Sequence, residues 1–282
     1  MKKIIVENLK YKYPLTEELA LKGLSFEVEQ GEFIGIIGEN GSGKSTLCQA
    51  LTGLVPNFFK GAYGGRVLVD GLEVSKTSIS ELSVKVGIVF QNPFTQVTGS
   101  KLTVYEEIAF GLENMGLSRE EMIERIDYSL KLLNIYKFKD RNPFDLSGGQ
   151  MQRMAIASII AMKPDIIVLD EPTSQLDPQG SEEVFKAVYD LSKEGMTVIM
   201  VEHKIEKIAQ YSDRVMLLYN GEIVNFDKPV KIFSRDDLRK YGVKEPAFTE
   251  ICRNLNIKNP NTGYYPITLN EAYDLVVNNN GE

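Results

Sequence analysis

Nine consecutive residues, Gly38-Glu39-Asn40-Gly41-Ser42-Gly43-Lys44-Ser45-Thr46, carry the chemistry around which the chain is organised. Gly38, Gly43, Lys44 and Ser45 fill every fixed position of a G-x-x-x-x-G-K-[ST] pattern, which cradles a row of phosphates. Glycine lets backbone N–H groups turn inward around phosphate oxygens, and a following helix points its partial positive end at the same anion. In such a cradle Gly38, Asn40, Gly41, Ser42, Gly43 and Thr46 surround the phosphates, Lys44 reaches the β and γ groups, and the Ser45 hydroxyl holds Mg²⁺. A Gly-rich turn with no ligand is the plainer alternative. It leaves unexplained why the apolar Phe33–Ile37 and the helical-looking Thr46–Leu51 flank the loop where a strand and a helix are needed.

Other residues have the chemistry to act on what such a loop holds. Asp165-Ile166-Ile167-Val168-Leu169-Asp170-Glu171-Pro172 reads as a buried parallel strand closing in paired carboxylates. The two acids can divide the work: Asp170 on Mg²⁺, directly or through water, and Glu171 as general base or orienter for water attacking a γ-phosphate. The second role is worth roughly 10²–10⁴-fold in rate. Ser83 to Phe90 reads as another strand, and ligands meet open α/β sheets at the carboxyl ends of strands. Gln91, at that end, is thus placed to reach the metal or the attacking water. His203, the chain's one histidine, follows the apolar Gly195–Val201 and Glu202, where its ring can offer an N–H to the γ-phosphate. Elsewhere a lone histidine is more often structural.

Two further features are weaker alone. Leu146-Ser147-Gly148-Gly149-Gln150 opens a helix over Met151–Met162, and Ser-Gly-Gly at a helix N-terminus is a second anion site, although no Lys accompanies it. A capping serine with flexible glycines would account for it equally. Adenine has a π-face that stacks on tyrosine for about 1–3 kcal/mol. Tyr13, ahead of Pro14, is the first candidate and Tyr11 the second, unless either ring simply caps a sheet.

These groups need a scaffold. A chain of 282 residues, 43% hydrophobic and 25% charged, can bury a large core. A formal charge of −7 without a long run of Lys or Arg gives no footprint for nucleic acid. Two cysteines, Cys48 and Cys252, are too few for a disulfide framework and fit a reducing compartment, with Cys48 read as a small core residue. Ile4-Ile5-Val6 is too short for a signal-peptide core, and no apolar run approaches the roughly 18 residues of a membrane span.

Along the chain, residues 3–30 alternate short apolar stretches as an antiparallel meander does, and Arg66–Gly71 is strand-like. From Thr95 to about Asp145 the texture turns helical. Thr103…Glu106 and Ser118…Glu121 read as capping boxes, each worth on the order of 1 kcal/mol. Asp177 is placed to cap the next helix or to shape an interface, and Asn220-Gly221 marks a hairpin. A terminal helix is expected to bury Leu269, Ala272, Tyr273 and Val276, against its own domain or against a second chain.

With these elements in this order, the chain resembles the ATP-binding-cassette ATPases over residues 1 to about 228. Gly38–Ser45 matches their Walker A, Gln91 the Q-loop, Leu146–Gln150 the signature motif, and Ile166–Asp170 Walker B with Glu171 as catalytic carboxylate. Ser174–Asp177 matches the D-loop and His203 the switch histidine. Val89-Phe90-Gln91-Asn92-Pro93, Met162-Lys163-Pro164-Asp165 and the short C-terminal extension are most similar to the ATPase subunits of energy-coupling-factor importers. The resemblance implies an α/β fold: a P-loop NTPase (RecA-like) core with an N-terminal antiparallel β subdomain, a helical subdomain at about 92–162, and an extension at 229–282 as a candidate dimerisation element.

The same resemblance implies ATP and Mg²⁺ as cofactors. It also implies a head-to-tail second ATPase chain whose Ser147, Gly148, Gly149 and Gln150 close on the nucleotide held by the first chain's Lys44. Integral membrane subunits would dock on the helical subdomain, placing the chain at the cytoplasmic face of the membrane. Gln175 stands where many cassettes have a small residue, and Glu202 where Ser or Thr is frequent; these departures bear on pairing geometry and on the setting of His203. The rival readings are a DNA-repair or translation cassette, disfavoured by the absence of a long coiled coil or a second cassette, and a regulatory module without turnover, disfavoured by the presence of Glu171, Gln91 and His203.

Overall fold

Stretches that are apolar nearly throughout become strands buried along their whole length, since a parallel strand is covered on both faces. Three such strands, β3 (Phe33–Ile37), β7 (Ile166–Asp170) and β8 (Thr197–Val201), form the centre of the molecule in a computed structural model that describes residues 1–279. With β6 (Val86–Val89), β9 (Arg214–Tyr219) and β10 (Glu222–Asp227) they build a six-stranded sheet in the order β10-β9-β3-β8-β7-β6. All neighbours in it are parallel except β9 and β10. That pair is joined at Asn220-Gly221, both at positive φ (48° and 76°), the conformation a two-residue hairpin demands. Ile36 is in register with Val201, and Val201 with Asp170. The segments that follow these three residues therefore leave the sheet at one edge, which is how the sheet gathers residues far apart in sequence.

The first strands make a second, antiparallel sheet. Residues 3–30 supply β1 (Lys2–Lys12) and β2 (Leu21–Glu29), but β1 lies inside the sheet and not at its start. Its other side is taken by β4 (Ala62–Val69), which arrives from beyond the phosphate loop and carries the short β5 (Leu72–Glu73), giving the order β2-β1-β4-β5. The helix after the loop, α1 (Lys44–Leu51), is enclosed between the two sheets, with Leu47, Cys48, Ala50 and Leu51 fully buried. Each buried leucine contributes about 1.5–3 kcal/mol, and together they fix the helix that orients the loop.

Between β6 and β7 lie three helices: α2 (Val104–Asn114), α3 (Arg119–Leu132) and α4 (Gly148–Met162). Thr103 and Glu106 form the expected capping box of α2. At α3 only half the box forms. The Ser118 hydroxyl accepts from Glu121 N–H, but the Glu121 carboxylate turns to Arg125, whose guanidinium also reaches the Met162 carbonyl and so ties α3 to α4. The strand expected from Ser83 starts only at Val86, because a capping box between Ser78 and Glu81 winds Ile79–Ser83 into a helical turn.

Helices α5 (Pro178–Lys193) and α6 (Ile205–Tyr211) complete the core. Beyond Lys228 come α7 (Ala247–Asn254) and α8 (Leu269–Asn279). The expected buried face of α8 is split. Ala272 and Val276 pack with Cys252 and Tyr265, while Leu269 and Tyr273, one turn apart, stand exposed on a neighbouring stripe. No helix among the described residues is long and apolar enough to cross a membrane.

Candidate functional site

The loop between β3 and α1 needs its glycines for space as well as for conformation. A Cβ at Gly38 would run into the Leu218 carbonyl oxygen, and Gly43 caps α1 at φ 101° with the Ala20 carbonyl 2.8 Å from where its Cβ would be. Lys44 is buried, and its Nζ donates to the carbonyls of Gly38 (2.9 Å) and Glu39 (2.8 Å) across the loop. Burial pulls the Lys44 pKa down, opposed by the nearby Glu171 and Asp170 carboxylates. Tyr13 is half-buried. Its hydroxyl lies 3.0 Å from Thr46 Oγ1 and donates to Gln49 Oε1 at 2.9 Å, which holds the ring at the flank of α1. Tyr11 is fully buried, with its hydroxyl bonded to the carbonyls of Phe59 and Lys60, and so is a core residue. An open cleft of about 610 Å³ results, lined by Tyr13, Asn40, Gly41, Gly43, Lys44, Ser45, Thr46, Gln91, Glu171 and His203.

The carboxylates at the end of β7 differ in setting. Asp170 is buried, and burial raises its pKa while the nearby Ser45 hydroxyl pulls it down. Its Oδ1 has no hydrogen-bond partner, and neither has the buried Ser42 hydroxyl. A buried oxygen left unpaired beside a serine hydroxyl suits a hard divalent cation, whose other ligands come from phosphate and water. Among the described residues no cluster of three acidic, His or Cys side chains forms a cage by itself. Glu171 sits at φ 51°, in the left-handed region. One of its oxygens accepts from Gln91 Nε2 at 2.6 Å, and the other lies 3.0 Å from His203 Nε2. The imidazole is half exposed. Gln91, Glu171 and His203 thus converge from the ends of β6, β7 and β8.

Ser147, Gly148, Gly149 and Gln150 stand elsewhere. They line a cleft of about 660 Å³ with Arg153, Gln175, Leu176 and Asp177, and it shares no residue with the phosphate-loop cleft. Ser147 and Gln150 cap α4 reciprocally: Ser147 N–H donates to Gln150 Oε1 (3.0 Å) and Gln150 N–H to Ser147 Oγ (3.3 Å). Asp177 caps α5 through Gly180 N–H at 2.7 Å. Gln175 lies against the start of α4, its Oε1 2.6 Å from where a Cβ on Gly148 would be.

A family model described as ABC transporter matches residues 21–174. The chain belongs to the ABC transporter ATP-binding family. The energy-coupling factor transporter ATP-binding protein EcfA1 of Streptococcus pneumoniae is 40% identical over 91% of this chain and 91% of its own. The solved structure of CbiO1 from Clostridium perfringens, described as part of the ABC transporter complex CbiONQ, is 34% identical with a TM-score of 0.74. It covers 93% of this chain and 97% of its own. A dimeric ATP-binding cassette in a post-hydrolysis state, with ADP and Pi bound, is 31% identical with a TM-score of 0.71 over 80% of this chain and 98% of its own. This cassette is therefore an ATP hydrolase whose turnover is coupled to transport.

Sequence reasoning did not find the role of Glu202 in this cassette. Its carboxylate is buried and takes hydrogen bonds from Thr173 and from the His203 backbone. The signal was an acid where the family often has Ser or Thr, but its partner lies 29 residues away on another segment.

Proposed function

We propose that the chain is one of two ATPase subunits of an energy-coupling-factor importer, and that each ATP is held between the two. The observation that carries this reading is the separation of the two anion-binding helix N-termini into clefts with no residue in common, one with Lys44 and one with Ser147. Within one chain the two sets of residues line different clefts. A head-to-tail pair brings Ser147, Gly148, Gly149 and Gln150 of each chain to the γ-phosphate held by the other's Lys44, as isologous symmetry allows.

Within each site, Tyr13 stacks on adenine, the loop from Gly38 to Thr46 surrounds the phosphates, and Lys44 neutralises their charge. Ser45 and Asp170, with Gln91, would hold Mg²⁺, which supplies charge neutralisation at the β- and γ-phosphate oxygens. Glu171 takes the proton from water or aims it, and His203 and Gln91 hold the Glu171 carboxylate in place. ATP closes the pair and hydrolysis opens it, with the helices α2–α4 passing the motion to membrane subunits docked on them. The exposed stripe of Leu269 and Tyr273 gives the C-terminal extension a surface for the second chain. Purification from native membranes tests the importer reading: the chain is expected to bring integral membrane subunits with it. Recovery without any such subunit would overturn the reading.

A further inference from the structure

Glu202 is only 3% exposed, yet it is not an isolated charge, because three donors converge on its two oxygens. Oε1 accepts from the backbone N–H of Thr173 at 2.9 Å and from its hydroxyl at 2.6 Å, and Oε2 accepts from the backbone N–H of His203 at 3.0 Å. On the other side of His203, Lys204 Nζ donates to the Thr173 carbonyl at 3.0 Å and to the Ser181 hydroxyl. The fully buried Thr173 is thus gripped at its N–H, its hydroxyl and its carbonyl by the two residues that flank the switch histidine. Thr173 stands two residues after Glu171, whose left-handed backbone persists only where its surroundings hold it.

We propose that Glu202 is a positioning residue for hydrolysis: it ties the backbone of His203 to the turn beyond Glu171 and so fixes the reach between the Glu171 carboxylate and the His203 ring. The inference rests on the reading of Glu171 and His203 as the hydrolytic pair. Serine or threonine at this position offers one oxygen on a shorter stem and cannot serve both segments. Glutamine keeps the length of Glu202 but has one acceptor, so its NH₂ would face a donor at one of the two ends. Neither Glu202 nor Thr173 lines the phosphate-loop cleft, which separates positioning from ATP binding.

The experiment compares steady-state ATP hydrolysis by the full chain with that of Glu202→Gln, Thr173→Val, the double variant and Glu171→Gln. For Glu202→Gln we expect kcat to fall about 10–100-fold, the scale of a misplaced catalytic group, with KM for ATP unchanged. Thr173→Val should lower kcat less, since the backbone N–H bond survives. The double variant should be no slower than Glu202→Gln alone, because both remove one shared interaction. A wild-type kcat in Glu202→Gln overturns the proposal, as does a fall in kcat matched by a rise in KM, the pattern of a generally loosened fold. If Glu202→Gln does not fold, Thr173→Val decides by the same criterion of kcat against KM. Full turnover in Glu171→Gln would instead refute the hydrolytic pair, so the two failures are distinguishable.

Discussion

Glu171 and His203 meet at 3.0 Å although 32 residues separate them, because β7 and β8 are parallel neighbours whose carboxyl ends lie at one edge of the sheet. The second oxygen of Glu171 is taken by Gln91, so one carboxylate is held from both sides. A carboxylate held this way is aimed at a single point, where a mobile one would average over many.

Replacing Glu171 by glutamine keeps the shape and removes the charge that accepts a proton. ATP affinity is expected to persist while kcat falls about 10²–10⁴-fold, the range of general-base removal. Single-turnover hydrolysis with a separate measurement of ATP binding checks this, and near-normal turnover would remove Glu171 from the role.

Chains carrying Lys44→Ala and Gly148→Asp should each be inactive alone. Aspartate at Gly148 displaces the Gln175 side-chain oxygen, 2.6 Å from where its Cβ would be, and its charge opposes an anion at the N-terminus of α4. Mixed under conditions that allow exchange, the two chains should recover hydrolysis, since one composite site collects both defects and the other none. No recovery in a verified mixed dimer would argue against shared sites.

Contiguous motifs were the legible part of this chain, because a phosphate loop places its donors by local backbone geometry, and a run such as Ile166–Asp170 announces a buried strand by composition. What the residue order did not show was which distant segments pair. The return of β4 to the far side of β1 depends on α1 filling the space between the sheets. The grip of Glu202 on Thr173 depends on β7 and β8 being adjacent. The inward face of α8 is illegible for a related reason: helical periodicity identifies an apolar stripe, but only the position of Cys252 and Tyr265 decides that Ala272 turns inward and Tyr273 outward.

Tyr13 offers a separate test of the nucleotide pocket. Tyr13→Ala should weaken ATP binding by about 1–3 kcal/mol through lost stacking, while Tyr13→Phe, which loses only the bonds to Thr46 and Gln49, should stay near wild type. Stacking does not read the edge of the base, so GTP affinity should fall in parallel in Tyr13→Ala. Equal ATP affinity in the wild type and Tyr13→Ala would leave the ring as a cap on α1 alone.

Far from the cleft, Asp70 ties the two sheets together at the opposite end of the strands. Lys3 of β1 donates to its carboxylate, Lys85, just before β6, forms an ion pair with it at 3.0 Å, and both also reach Asp165, just before β7. The hydrogen bond from Lys3, aided by the Lys85 ammonium and opposed by burial, holds the Asp70 pKa below the ordinary carboxylate value. A group with a depressed folded pKa stabilises the fold fully above its unfolded pKa of about 3.9, and that contribution is lost as pH falls through the folded value. Asp70→Asn is therefore expected to lower stability by about 1.5–3 kcal/mol at pH 7, the range for a charged hydrogen bond. The gap from wild type should narrow as pH drops below about 4, where the unfolded chain takes up the proton first, and close once the folded carboxylate is protonated too. Thermal melts of both proteins between neutral and acid pH measure the gap directly. A gap independent of pH would place the effect in packing and not in the ionic link between the sheets.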